Sequence, residues 1–153
     1  MSERKETAIS IELQRLAAMH GGELLPRVVV DAARDEESPL HHSFTWDDGK
    51  AAEQWRLQQA RQIINAVVRY EKVGKTTMAI PVFVSLSPDR ERDGGGYRVL
   101  TTVMSDEQHR RQMLQDAVND MQRFKEKYRR LNELAKVFEA IDQVSTQELA
   151  QTA

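Results

Sequence analysis

The sequence has no cysteine among its 153 residues. Disulfides and thiolate metal sites are therefore excluded, and a reducing compartment is permitted. It also has no apolar run approaching the roughly 18 residues of a membrane span. The first residues, Met1-Ser2-Glu3-Arg4-Lys5-Glu6, lack the apolar core of a signal peptide. No membrane partner is expected, and a cytoplasmic location is. An excess of one charge is missing too: 22 Lys and Arg stand against 24 Asp and Glu, for a net charge of −2 and a pI near 6.1. With no global cationic field, any DNA contact must come from a local basic patch.

Patterns that carry chemistry are equally sparse. Val73-Gly74-Lys75-Thr76-Thr77 has the end of a phosphate-binding P-loop, but Arg69 stands where the first glycine is required. A hairpin turn with Gly74 at its tip is the simpler reading. His41-His42 with Asp47 and Asp48 offers metal-ligand atoms, yet adjacent histidines rarely aim at one ion, and a doubled aspartate suits a helix start. His20 and His109 are isolated. No serine or threonine lies in a nucleophile elbow, and no carboxylate pair has an evident partner. The expectation is a protein that is not an enzyme, with no metal and no cofactor.

Aromatic residues make up only 6% of the chain, so their clustering is informative. Both tryptophans lie in one stretch. It runs Ser38-Pro39-Leu40-His41-His42-Ser43-Phe44-Thr45-Trp46-Asp47-Asp48 and continues through Ala51-Ala52-Glu53-Gln54-Trp55-Arg56 to Gln59-Ala60-Arg61. Phe44 and Trp46, two apart in an extended segment, point the same way and can clamp the following helix onto what precedes it. Asp47 is the expected N-cap, with Asp48 in the first turn. Trp55 is expected to join this aromatic cluster.

This Ser-Pro-Leu-His, Phe-x-Trp-Asp-Asp and Gln-Ala-Arg pattern resembles a recurrent family of small phage- and prophage-encoded proteins. The resemblance continues through the Tyr97 strand to the C-terminal helix. The motif names no reaction and brings no catalytic residues. It implies a phage or prophage setting, in which small proteins often handle DNA or block host proteins.

Periodicity supplies the fold class. Ile9, Leu13, Leu16 and Ala17 follow helical spacing, and His20-Gly21-Gly22 ends that helix. Pro26 opens a second helix, burying Val28, Val29, Ala32 and Ala33. A third runs from about Asp48 to about Asn65. Residues 67–73 read as a strand, and Met78, Ile80, Val82, Val84 and Leu86 alternate along a second. Tyr97 begins a third strand after a charged, glycine-rich loop. Ser105-Asp106-Glu107-Gln108 then has the form of a capping box and opens a helix to about Asp142. Along it Leu114, Met121, Tyr128 and Ala135 fall seven apart, as do Ala117, Phe124, Leu131 and Phe138. The predicted fold is α+β. It comprises a three-helix unit over 1–65, a three-stranded antiparallel meander over 66–104, a long heptad-patterned helix over 105–143 and a loose tail over 144–153.

Two functional expectations follow. Arg56, Gln59 and Arg61 on the third helix, with Arg123, Lys127 and Arg130 on the long helix, are candidate nucleic-acid contacts. They suggest a non-enzymatic DNA-associated accessory or regulatory protein. Leu114, Met121, Phe124, Tyr128, Leu131 and Phe138 form a candidate homo-oligomer seam. The alternative is a protein-interaction module, either an inhibitor or adaptor of a host protein or a structural phage component.

Overall fold

A computed structural model describes residues 2–46 and 49–152, with side chains over 7–46, 49 and 52–147. The fold is mixed helix and sheet. It divides into two compact units, 1–105 and 106–153.

The first unit begins with α1 (Ser2–Met19) and the two-residue strand β1 (Glu23–Leu24). Gly21 and Gly22, at φ 68° and 86°, make the turn between them, and Gly22 N–H donates to the Ala17 carbonyl. Here the glycines supply a left-handed C-terminal cap that residues with a Cβ rarely adopt. Next come α2 (Pro26–Ala33), with proline in its first turn, a 3₁₀ turn at His41–Ser43, and α3 (Lys50–Ala66). The core beneath these helices includes Leu13, Leu24, Val29, Val30, Leu40 and Ile64, all fully buried. Each such side chain contributes about 1.5–3 kcal/mol by leaving water.

The predicted second strand is divided. β2 (Val68–Val73) and β3 (Thr76–Pro81) form a two-stranded antiparallel ribbon in which Val73 pairs with Thr76. Gly74, at φ 65°, is the only residue of its turn with a positive φ, as a II′ turn requires. Beyond Pro81 the chain continues as β4 (Phe83–Val84). After α4 (Ser87–Glu91) and a glycine loop, β5 (Tyr97–Val99) pairs with β4 on one side and β1 on the other. The three-stranded antiparallel sheet thus has the order β1-β5-β4, and its members are not those of a simple meander. Proline cannot donate to a ladder, which accounts for the break beside Pro81. α5 (Leu100–Ser105) closes the unit.

Strands of two and three residues are marginal on backbone pairing alone. Asp89, buried at 2% exposure on α4, supplies a further tie. Its two carboxylate oxygens accept from Arg98 Nε and Nη2 at 2.7 Å each, which fastens α4 to β5. Arg92 donates both to Asp89 and to Glu23, extending the network to β1. Burial pushes the Asp89 carboxyl up, but hydrogen bonds and charges from Arg98 and then Arg92 outweigh it and hold it below the usual carboxylate range.

The second unit is a helical hairpin. The long helix is present as α6 (Glu107–Tyr128), 22 residues in length. Its N-cap is Asp106, one residue after the expected serine, whose Oδ1 accepts from His109 N–H at 2.8 Å. It stops at Tyr128 instead of running on to Asp142, and a 3₁₀ turn (Asn132–Leu134) leads into α7 (Ala135–Thr152). Residues 144–152, expected to be a loose tail, continue α7. The helices are tied by Lys125 Nζ donating to Asp142 at 2.6 and 2.7 Å and by Gln122 Nε2 donating to Ser145 Oγ at 2.7 Å.

The Asp89 network gives a pH prediction. A carboxyl held below its unfolded value contributes stability that is complete above the unfolded pKa. That contribution is lost as pH falls through the lower folded value. Wild-type protein should therefore lose melting temperature progressively below about pH 4. Asp89→Ala leaves two arginines without their shared partner and should cost about 3 kcal/mol at neutral pH. Thermal melts of both proteins from pH 3 to 7 should show the variant with the flatter acid dependence; parallel curves would contradict this role.

Candidate nucleic-acid interface

The approach to α3 is set by the aromatic stretch. Phe44 is buried, and its ring lies 5.7 Å from that of Trp46, centroid to centroid. Trp46 Nε1 donates to the His41 carbonyl at 3.1 Å, and its ring stacks on His41 at 5.2 Å with planes 14° apart. His41 Nδ1 is 2.8 Å from the Ala33 carbonyl at the end of α2. His41 therefore serves the packing of this turn. Asp47 and Asp48, expected to cap the helix, lie outside the described residues; Gly49 occupies the cap position of the described helix. Among the described residues no cluster of three or more His, Asp or Glu is placed to hold a metal ion.

Arg56 is the main correction to the expected contacts. Only 6% exposed, it turns inward. Its guanidinium donates to Thr45 O at 3.2 Å and to Glu53 Oε2 at 3.1 and 3.2 Å, and lies 5.4 Å from the Trp46 ring centroid. Arg34 approaches the same ring at 5.7 Å and donates to the same Glu53 oxygen at 3.2 Å. Gln59 is also a scaffold residue: half-buried, it accepts from Thr45 N–H at 3.4 Å. Trp55, expected inside, is 55% exposed. The buried stripe of α3 runs Arg56, Ala60, Ile64 at four-residue intervals, which places position 55 well off it.

That phase defines the outward face. Gln54, Gln58, Gln62 and Asn65 are exposed along α3, with Trp55 at its edge and half-buried Arg61 on its flank. Between Glu53 and Asp89 the only acidic residue is Glu71. Directly after α3 the β2–β3 ribbon is exposed over nearly its whole length and carries Arg69, Lys72 and Lys75. Tyr70 is 72% exposed on it. Gln58, Gln62 and Asn65 were legible as polar positions of this helix, but the choice of Arg56, Gln59 and Arg61 among them ignored helical phase; a four-residue count from Ala60 and Ile64 gives the buried side and leaves 54, 58, 62 and 65 outward.

In the second unit, Arg123 pairs with Asp120 at 3.1 Å, Lys127 lies 5.1 Å from the Tyr128 ring centroid, and Arg130 follows the helix end; all three are exposed. The expected seam residues separate into two groups. Met121, Tyr128 and Phe138 are half-buried, alongside buried Val118 and Ile141. Leu114, Phe124 and Leu131 are exposed by 40%, 41% and 46%.

Opposite effects are expected for the two tryptophans. Trp46→Ala removes the ring that His41, Arg34 and Arg56 surround and should cost about 2 kcal/mol or more. A unit of this size should then melt roughly 8 °C or more lower. Trp55→Ala should change stability by less than about 0.5 kcal/mol, as surface substitutions do. Equal losses for both variants in thermal melts would contradict the assigned phase of α3.

Compared with models of protein families, with curated proteins and with solved structures, the chain matches none.

Proposed function

We propose that this protein is a non-enzymatic, DNA-associated accessory or regulatory protein of a phage or prophage, acting in the host cytoplasm. Its first unit docks on duplex DNA through α3 and the β2–β3 ribbon. The observation that carries this reading is the side-chain content of the exposed α3 face: three glutamines and an asparagine, with Arg61 beside them. Amide side chains offer the paired donor and acceptor that match an adenine edge, and arginine matches guanine or phosphate. A major groove admits either a helix or a two-stranded ribbon, and here the two are consecutive in the chain. The ribbon's cations supply the local field that the overall charge does not.

The test is fluorescence anisotropy with duplex DNA at several salt concentrations. Affinity should fall with a log–log slope of about −0.9 per neutralised phosphate. Lys72→Ala with Lys75→Ala should flatten that slope by up to about two units. Gln58→Ala should relax sequence preference and leave the slope nearly unchanged. A folded wild-type protein that fails to retain DNA at low salt overturns the reading.

One observation favours self-association as a second property. Phe124, Leu131, Val137 and Val144 are all exposed on the helical hairpin, and Val137 and Val144 fall seven apart on α7. Exposed apolar residues repeating along a helix suit a partner helix. Sedimentation of Phe124→Glu with Val137→Glu should give a smaller species than wild type at equal concentration. A monomeric wild type at high concentration would exclude this.

A further inference from the structure

The β2–β3 ribbon is two strands wide, and Thr76 to Ala79 are exposed along β3. The register tells which backbone groups of β3 remain open. Val82 N–H donates to the Val67 carbonyl at 3.1 Å, so that pair is hydrogen-bonded. Bonded and non-bonded pairs alternate along an antiparallel ladder. Arg69–Ile80, Glu71–Met78 and Val73–Thr76 are therefore the bonded pairs of the ribbon. Thr77, Ala79 and Pro81 lie between them, and their backbone groups point away from β2. Thr77 and Ala79 each present an N–H and a carbonyl on that edge; Pro81 presents a carbonyl alone. Among the described residues no other strand pairs with β3, and no backbone group from outside the ribbon takes these bonds.

The two edges of the ribbon differ in how they are guarded. Exposed edges invite pairing unless charge, proline or a bulge opposes it. β2 carries Arg69, Glu71 and Lys72, whereas β3 reads Thr76-Thr77-Met78-Ala79-Ile80-Pro81 and carries no charge. Only Pro81, at its end, interrupts the edge. Two strands alone are marginal in water, and this ribbon leaves Val73 52% and Met78 50% exposed. A charge-free edge suits a charge-free partner, and a second copy of β3 is one. A twofold axis beside Met78 sets Thr77 opposite Ala79 of the second copy, and Ala79 opposite its Thr77. Each such pair exchanges two bonds, so every open N–H is used and neither proline is asked to donate. On the other face Met78 meets Met78 and Thr76 meets Ile80, with no like charges opposed.

We propose that β3 is a self-pairing edge: two copies of this chain join their ribbons antiparallel, β3 against β3, into one four-stranded sheet. The contact lies wholly in the first unit, apart in sequence from the apolar repeat of the helical hairpin. β2, with Arg69 and Lys72, keeps the outer edges of the joint sheet.

The experiment uses the full chain, which has no cysteine, so an introduced thiol is unique. In this register the two residues at position 78 form a non-bonded pair with Cα atoms about 4.5 Å apart, within the span a disulfide bridges. Met78→Cys should therefore give a covalent dimer under a mild oxidant. Val73→Cys, exposed on the same face of the ribbon, should not. Ala79→Pro removes an outward N–H and no bond to β2. By sedimentation it should raise the dimer dissociation constant about tenfold or more, as loss of two of the four bonds does. Met78→Lys, which sets two like charges together, should do the same and remains informative if the proline variant fails to fold. Cross-linking at 78 should persist when Phe124→Glu and Val137→Glu are added. Absent cross-linking at 78, equal cross-linking at 73, or loss of the cross-link in that background overturns the pairing. A dimer that both Ala79→Pro and Met78→Lys leave unchanged overturns it too.

Discussion

The inward turn of Arg56 governs the geometry of the first unit. A guanidinium removed from water is costly unless its donors are met and its charge is opposed. Glu53, the Thr45 carbonyl and the face of Trp46 together provide this. The same set pins the connection between α2 and α3, because Trp46 is stacked on His41 and His41 is bonded to the end of α2. Once position 56 faces inward, 60 and 64 must follow. Positions 54, 58, 62 and 65 are then presented outward as a set. The outward face of α3 is thus fixed by a residue that takes no part in it.

The Asp89 network does comparable work at the other end of the unit. Its carboxylate bridges α4 and β5 through Arg98, and Arg92 carries the tie to Glu23 on β1. Sheet order β1-β5-β4 brings together segments more than 70 residues apart in sequence, with ladders only two residues long. Ion pairing at a buried carboxylate compensates for that weak pairing. It also holds both ends of the glycine loop that joins α4 to β5.

Much of this architecture was legible because it depends on local chemistry. Gly21-Gly22, Pro26 and Gly74 each mark a boundary through backbone conformation alone, and Phe44 and Trp46 through spacing. α+β class followed from period changes. What was hidden is non-local. Nothing about Leu24 as a single residue announces a strand whose partner is Tyr97. The hairpin turn at 129–134 contains neither glycine nor proline, and the seven-residue apolar repeat runs across it unchanged. Periodicity therefore cannot tell a continuous helix from two that fold back. On α3, Arg61 flanks the exposed face, whereas Arg56, expected outward, is buried and Gln59 is half-buried and bonded to Thr45. Arginine near an apolar stripe reads as outward unless its internal partners are known, and those partners, Trp46 and Thr45, lie before the helix begins.

The distribution of charge bears on how a mildly acidic protein would meet the polyanionic partner proposed for it. Acidic residues crowd Asp31, Asp35, Glu36 and Glu37 around the end of α2, and Glu71 is the only one between Glu53 and Asp89. Along the sequence of the first unit the two signs are thus separated, while the sum for the chain stays near neutral. Against DNA, the partner proposed above, an acidic segment would be repelled and the cations of the ribbon drawn in. Such a field orients an encounter without the non-specific adhesion that a uniformly basic protein would show. Low net charge is therefore no argument against the proposed α3 and ribbon surface.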